Sequence, residues 1–320
     1  MITRISIIFF ALSLAPPALG ADSAGNGVAN AKVKCVMLGD TLARDAHRYR
    51  EPDLEHAIGR LKRARKACEA ALQASPKDAR VMQYLGMLRL ADRDDSGATL
   101  LQKAANTGDG EAMRGYAAAI LAGNVPGKDI AEGVRFMESA AQAGNMQAQA
   151  ELGLVLARGS YGVPRDTERA LRLLRRYGRR GNPQAHFALA LIFLTTNPVA
   201  ADDPDGLADR DLARHYLDKA SRAGLPEAQA MFGQLLLKNA RTKAERERAR
   251  DLIMAAANAG SQRAAYFLGT LYSMGYTVPE DQAKARHWYC RGGPDGVALA
   301  AVEFGEDSCL DSGPDSYLNP

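Results

Sequence analysis

Residues 141–159 read AQAGNMQAQAELGLVLARG, and the pattern of small residues in this stretch returns along most of the chain. We call Gly144 the anchor glycine of this stretch. Equivalent glycines occur along the chain, and successive ones are 36, 37, 43 and 36 residues apart. An alanine follows each anchor after four residues, and another small residue follows after nine. The anchors are Gly108, Gly144, Gly181, Gly224 and Gly260; the alanines are Ala112, Ala148, Ala185, Ala228 and Ala264; the later positions are Ala117, Gly153, Ala190, Gly233 and Gly269. This period predicts an array of small units that bury their apolar faces only against one another.

Each unit has room for two helices joined by a turn. In the third unit, residues 184–194 are apolar at helical spacing, and a Thr-Thr-Asn-Pro sequence then ends the pattern. A second helix is predicted to begin near Asp211. Gly153, Gly233 and Gly269 lie inside first helices, where glycine is costly, which predicts that two helix backbones approach closely there. The hydrophobic content of 47% is rich in alanine and leucine and favours an all-α fold.

The second and fifth units carry several spaced motifs together. The second has Gly144, Ala148-Gln149, Leu152-Gly153, Gly159, Gly162-Val163, Asp166 and Ala170, and the fifth has Gly260, Ala264, Leu268-Gly269, Tyr272, Gly275, Val278-Pro279, Asp281, Ala285 and Trp288. This combination resembles the Sel-one-like repeats, which are relatives of the tetratricopeptide repeat, over residues 76–292. The resemblance implies a right-handed α-solenoid of five to six helix pairs with a concave face. It also implies an adaptor or scaffold, because most members of the family act in that way.

The N-terminus has the layout of a cleavable secretory signal. Arg4 precedes an apolar run at residues 5–15, and Ala18-Leu19-Gly20 forms a small-residue cleavage site. The apolar run is too short to span a bilayer. The sequence therefore predicts export to the periplasm or beyond the cell, with no transmembrane anchor after cleavage. The alternative is a buried apolar helix.

The four cysteines form two pairs that are local in sequence. An even number of cysteines in an exported chain favours disulfides, and a stacked array holds its two ends apart. These arguments predict Cys35–Cys68 and Cys290–Cys309 among the three possible pairings. As an alternative, His287 and Cys290 lie three residues apart on a predicted helix, a spacing that two metal ligands could use.

The predicted organisation has four parts. They are a signal at 1–20, a helical cap with a disulfide at 21–75, a repeat array at 76–292, and an acidic tail with a disulfide at 293–320. The cap is expected to contain a helix over 53–74, and the tail is expected to be irregular, with at most one short helix near 297–304.

The chain lacks the common sequence signatures of an enzyme. Neither a Gly-x-Ser-x-Gly elbow nor a Ser-x-x-Lys pair occurs. The other histidines, His47, His56, His186 and His215, have no metal-ligand spacing. We therefore predict no catalytic site, no cofactor and no metal.

The resemblance to tetratricopeptide-like arrays implies that some first-helix positions face a groove. These positions carry Arg114, Gln147, Arg158, Gln184, Phe187, Gln234, Lys238, Arg263, Tyr266 and Thr270. Phe187 and Tyr266 are the aromatic anchors expected of a peptide-binding groove. The alternative is that both rings fill the packing between helices.

A second candidate surface is basic. Arg172, Arg176 and Arg179 lie four and three residues apart and share one helix face. Such a face could hold an anionic partner, or it could be an ordinary solvated surface. The net charge of +4 is too small to decide between these alternatives.

Together these features predict an exported scaffold that binds a protein partner through its groove. The first alternative is an accessory factor that binds an anionic polysaccharide or another envelope component through the basic face. The second is a β-lactam-binding enzyme, because a cysteine-rich subgroup of the family has that link. Members of that subgroup place a cysteine pair inside every repeat, which this chain does not. Nucleic acid is not an expected partner of an exported protein.

Overall fold

The computed structural model describes residues 32, 34, 35, 54–195, 207–305, 308 and 309. The predicted signal at 1–20, residues 196–206 and residues 310–320 lie outside this set. The chain divides into two compact units, which we call the N-terminal unit (Met1–Tyr177) and the C-terminal unit (Gly178–Pro320).

The described residues form α-helices, turns and one short 3-10 helix, and no β-strand occurs among them. The helices are α1 Leu54–Ala74, α2 Ala79–Ala91, α3 Ser96–Ala105, α4 Gly110–Leu121, α5 Ile130–Gln142, α6 Met146–Arg158, α7 Thr167–Arg179, α8 Pro183–Thr195, α9 Leu207–Arg222, α10 Pro226–Asn239, α11 Lys243–Asn258, α12 Gln262–Ser273, α13 Gln282–Arg291 and α14 Gly293–Phe304. None of these helices is long and apolar enough to cross a bilayer.

Between α1 and α14, the described helices form six pairs, which matches the predicted five to six. The first helices of the pairs are α2, α4 and α6 in the N-terminal unit and α8, α10 and α12 in the C-terminal unit; the second helices are α3, α5, α7, α9, α11 and α13. Within each unit, a first helix packs against its own second helix, as α4 does with α5 and α10 does with α11. The second helix then packs against the next first helix, as α5 does with α6 and α11 does with α12. The predicted all-α repeat fold is confirmed.

The anchor glycines end the second helices. All five have a positive φ, between 80° and 92°, the left-handed region that glycine adopts without steric cost. The residue after the anchor begins the next first helix. Asn145 is an example, because its side chain accepts a hydrogen bond of 2.8 Å from the backbone N–H of Ala148. Asp109, Asn182 and Ser261 cap their helices in the same way.

The alanine four residues after each anchor is a packing position. All five of these alanines are fully buried. Within five residues, the repeated pattern therefore combines three features. A glycine with left-handed backbone ends one helix, the next residue caps the following helix, and a small side chain is buried.

The glycines inside the first helices make room for the second helices. A Cβ atom added at Gly233 would lie 2.8 Å from Ile253 Cγ1 and 2.9 Å from the backbone O of Ala249, so the predicted approach of two backbones is found there beside a side-chain contact. At Gly153 and Gly269 the prediction is wrong in detail. The nearest atoms belong instead to the side chains of Leu174, at 2.5 Å, and Tyr289, at 2.6 Å. Glycine is required at these two positions because a bulky side chain of the second helix fills its place.

Both ends of the described chain carry the predicted disulfides. Cys35 is bonded to Cys68 on α1, and Cys290 on α13 is bonded to Cys309. The helix predicted over 53–74 is confirmed as α1.

The C-terminal helix is longer than predicted. Helix α14 begins at Gly293 rather than near residue 297. Pro294 fits the first turn of a helix, where no backbone N–H is needed. Gly296 leaves no room for a Cβ atom against the backbone of Tyr289, so the early part of the helix packs directly on α13.

Candidate partner-binding surfaces

In the N-terminal unit, a charge network joins two first helices. Arg114 on α4 is only 1% exposed. Its Nη2 and Nε donate to Glu111 Oε1 at 2.6 and 3.1 Å, and its Nη1 donates to Glu151 Oε1 on α6 at 3.0 Å. Arg114 was predicted to face a groove, and the structure places its guanidinium beneath two partly exposed carboxylates.

Two further side chains complete the network. Asn145 Nδ2 donates to Glu111 Oε2, and Gln147 Nε2 donates to Glu151 Oε1, each at 2.9 Å. Burial by itself raises the pKa of the Glu111 carboxyl, but the charge of Arg114 and the hydrogen bonds outweigh it, so the pKa lies below its usual value. Gln147 is half-buried within this network. Arg158, at the end of α6, is exposed.

In the C-terminal unit, no ion pair between described residues joins the first helices at the same register positions. Gln184, Glu227 and Arg263 are each the second residue of a first helix, on α8, α10 and α12. We call this surface, together with Phe187, Gln234 and Tyr266, the C-terminal first-helix face. Arg263 Nε and Nη2 donate to Gln234 Oε1 at 3.3 and 3.2 Å.

Two amide atoms of this face have no hydrogen bond among the described residues, and one of its carboxylates is desolvated. Gln184 Oε1 and Gln234 Nε2 are buried without a hydrogen bond. Glu227 makes no ion pair with a described residue, and burial raises the pKa of its carboxyl. An unsatisfied buried amide atom costs about 1–3 kcal/mol, so these groups are not explained by stability.

The two aromatic rings of the C-terminal first-helix face take part in helix packing. Phe187 is half-buried against two clusters that contain Leu217 and Leu225. The Tyr266 ring lies 6.0 Å from the Tyr289 ring, between centroids, and its backbone lies against Gly292. Packing, the alternative interpretation, therefore accounts for much of each ring, although both remain partly accessible.

Two other residues that were predicted for the groove lie near the ends of their helices. The Thr270 hydroxyl donates to the backbone O of Tyr266 at 3.2 Å. Lys238 is exposed in the last turn of α10.

Arginines that were predicted to form the basic face are exposed on α7. Arg172 pairs with Glu168 at 3.2 Å, a surface pair one helical turn apart. Arg176 and Arg179 have no ion-pair partner within the described ranges. The two arginines therefore leave their charge available to solvent or to a partner.

The alternative metal site at His287 and Cys290 is not formed, because Cys290 is bonded to Cys309. His287 is buried, and its ring lies edge-on to Trp288, with 5.2 Å between centroids. Burial lowers the pKa of His287, and the charge of Arg291 lowers it further. Where the structure describes side chains, no three His, Cys, Asp or Glu residues lie close enough to hold a metal ion.

Sequence reasoning missed the partners of Arg114 and the desolvation of Glu227. The repeat period contained a usable signal for the first of these. Arg114 and Glu151 are 37 residues apart, and Glu111 and Asn145 are 34 apart, so opposite charges or polar groups one period apart lie on neighbouring first helices. No comparable signal marks Glu227, because its burial depends on the packing of its surroundings.

Stacked helix pairs with glycine stops place the chain among the α-helical repeat proteins. A comparison with protein-family models matches the Sel1 repeat at residues 110–145, 147–182, 203–225 and 262–292. The chain therefore contains Sel1 repeats, as the sequence motifs predicted. Sel1 repeats are generally non-catalytic and commonly mediate protein–protein interaction.

Two curated proteins share part of the repeat array. An uncharacterised protein of Neisseria meningitidis serogroup B is 29% identical over 182 residues, which is 57% of this chain and 36% of that protein. Chitin synthase regulatory factor 4 of Schizosaccharomyces pombe is 30% identical over 167 residues, which is 47% of this chain and 25% of that protein. The matches thus span roughly a third and a quarter of these relatives.

Two solved structures share the fold. A Sel1 repeat protein from Oxalobacter formigenes has a TM-score of 0.53 at 22% identity, with 92% of each chain covered. A protective antigen of uropathogenic Escherichia coli with an SLR fold has a TM-score of 0.50 at 20% identity, covering 96% of this chain and 63% of that one. At these identities the likeness concerns the fold alone.

Proposed function

We propose that this chain is a non-catalytic adaptor that binds an extended segment of a partner protein on the C-terminal first-helix face. One observation carries the proposal. This face holds two buried amide atoms without a hydrogen bond and a desolvated carboxylate without an ion pair among the described residues. On α4 and α6 of the N-terminal unit, by contrast, Arg114, Glu111 and Glu151 are joined to one another.

An extended peptide supplies the missing partners. Its backbone offers N–H and C=O groups that glutamine side chains can bind after a change of rotamer, and Gln184 and Gln234 are half-buried rather than sealed. A lysine or arginine in the same segment would pair with Glu227 and offset the desolvation of its carboxylate. We therefore propose a partner segment that carries at least one cation.

The packing of the Phe187 and Tyr266 rings against neighbouring helices favours partner binding rather than preventing it. Phe187 and Tyr266 are each held by neighbouring side chains, so their positions are fixed before a partner arrives. Less side-chain entropy is lost when a fixed aromatic surface is covered than when a mobile one is ordered.

We also propose that the protein acts in the periplasm or outside the cell. The two disulfides indicate an oxidising environment, where such bonds persist. The signal pattern at residues 1–20 supports the same location.

Partner capture from a cell-envelope extract tests the proposal. We compare the disulfide-intact protein with a Gln184→Ala/Glu227→Ala/Arg263→Ala variant. The matched control is Arg210→Ala, because Arg210 is an exposed cation on α9, a second helix of the same unit. We expect partner recovery to fall by about tenfold or more with the triple variant, as the loss of a central polar cluster predicts, and to persist with the control. Equal recovery by the triple variant and the wild type would contradict the proposal.

A further inference from the structure

The N-terminal unit contains a cleft that the function proposed above does not use. Its volume is about 540 Å³, and it lies between the start of α5, Leu156 on α6, and the loop that leads into α7. Ile130 and Val134 line one side, and Val163 and Pro164 line the other. The cleft is thus an apolar depression formed by two consecutive helix pairs.

Two apolar side chains at or beside this cleft are exposed, although Leu156 and Val163 in its lining are buried. Ile130, the first residue of α5, is 41% exposed, and Tyr161 in the adjoining loop is 53% exposed. Burial of one large apolar side chain against such a surface makes the free energy of binding more favourable. The gain is roughly the difference in free energy between a weak and a moderately tight complex.

The charge around the cleft is positive. Arg169 lines it and is paired with Glu138, and the Asp166 carboxylate accepts a hydrogen bond from the backbone N–H of Arg169 at 2.9 Å. Arg135 also lines the cleft, is exposed, and has no carboxylate partner in the described parts of the chain. The neighbouring sequence 165–180 continues this charge, with seven arginines against Asp166 and Glu168.

We propose that this cleft is a second protein-docking site, which takes an acidic segment of a partner anchored by one branched aliphatic or aromatic side chain. The anchor fills the space between Ile130 and Val163, and a neighbouring carboxylate pairs with Arg135. The apolar lining decides between this occupant and an anionic polysaccharide, because a polysaccharide has no side chain to fill the cleft. Carboxylates beyond the anchor meet the arginines of α7, which increases the association rate and makes it sensitive to salt.

The test selects displayed random-sequence peptides on the full, disulfide-intact protein. The pool is depleted against an Ile130→Asp/Arg135→Glu double variant, so that peptides bound elsewhere on the chain are removed. Ile130→Asp places an acid at the first position of a helix, where the helix dipole favours negative charge, so the variant is expected to fold. Ile130→Ser is a second variant without a change of charge, and Lys103→Glu, at an exposed lysine on α3, is the control for charge reversal.

We expect the retained peptides to combine carboxylates with one large apolar residue. Replacing that residue by alanine in a synthetic copy should weaken binding by at least about tenfold. Ile130→Ser should weaken binding as well, and Lys103→Glu should leave it unchanged. The proposal is overturned if no peptide survives the depletion, if the alanine copy binds equally well, or if heparin binds with an affinity that depends on Ile130 as strongly as peptide binding does.

Discussion

At the scale of single residues, small side chains mark the places where this array is most tightly constrained. Gly144 and its equivalents supply a left-handed backbone, and Gly153 leaves space for Leu174. Both roles could be predicted from the spacing, because a small residue that recurs at a fixed interval indicates a close contact that recurs in each repeat. The side chain that fills the space could not be anticipated, because it lies on another helix and differs between repeats: it is Leu174, Ile253 or Tyr289.

Replacement of Gly153 by alanine should destabilise the protein. A new Cβ would lie 2.5 Å from Leu174, and overpacking of this kind costs about 1–3 kcal/mol, more than the gain in helix propensity. Gly59→Ala on α1 is the control, because the nearest atom there is the flexible end of Arg63, at 3.7 Å. That change should stabilise by about 0.5–1 kcal/mol. Thermal melts of both variants measure the difference, and equal shifts would refute the packing role.

Arg114→Met should leave Glu111 and Glu151 without their shared cation. We expect a loss of about 2–4 kcal/mol at neutral pH, below the full cost of a buried pair because the two carboxylates are 40% and 27% exposed. The pKa of Glu111 is lowered in the folded state, so its contribution to wild-type stability is present at neutral pH and is lost as the pH falls through that folded pKa. Denaturant titrations should therefore show the difference between variant and wild type shrinking in acid. A difference that is constant with pH would argue against an electrostatic origin.

Glu227→Gln should act in the opposite direction. The pKa of Glu227 is raised in the folded state by burial, so its charge destabilises the fold as the pH rises above the unfolded value. We expect the variant to melt at a higher temperature than the wild type at pH 7 and at the same temperature in acid. The same change should weaken binding of the proposed cationic partner. A variant that is less stable at pH 7 would show that Glu227 has a stabilising partner.

At the scale of elements, the helix boundaries follow local rules that the sequence contains. Asp109, Asn145, Asn182 and Ser261 cap their helices, and the anchor glycines end the preceding ones. The start of α14 was misplaced because Gly293 and Gly296 suggest a break when they are read locally. In the structure, Gly296 instead allows α14 to pack against Tyr289. The packing of α14 against α13 therefore determines where α14 begins, although the local sequence does not favour a helix there.

The two disulfides should stabilise the terminal elements to similar extents. Their loops span 33 and 19 residues, for which the chain-entropy relation gives about 3–4 kcal/mol each. Cys290→Ser/Cys309→Ser should therefore lower stability by about that amount and increase amide exchange in α13 and α14. Amide exchange that changes only at α1 and α2 would contradict the conclusion that the Cys290–Cys309 disulfide stabilises the C-terminal helices.

At the scale of the whole molecule, the two units share one repeat design but use their first helices differently. In the N-terminal unit, Arg114 and its carboxylates join neighbouring repeats. In the C-terminal unit, Gln184 and Glu227 occupy comparable register positions without such partners. The sequence motifs predicted the fold class, but they could not separate these two cases, because the difference lies in which polar groups meet across a repeat boundary.

The central claim is that the C-terminal first-helix face is the partner-binding surface, and photo-crosslinking tests it most directly. A benzoylphenylalanine is placed at position 184, 263 or 210 of the protein, and adducts are collected from intact cells. We predict one partner adduct of the same mass from positions 184 and 263 and none from position 210 on α9. Adducts from position 210 alone, or from none of the three positions, would contradict the account.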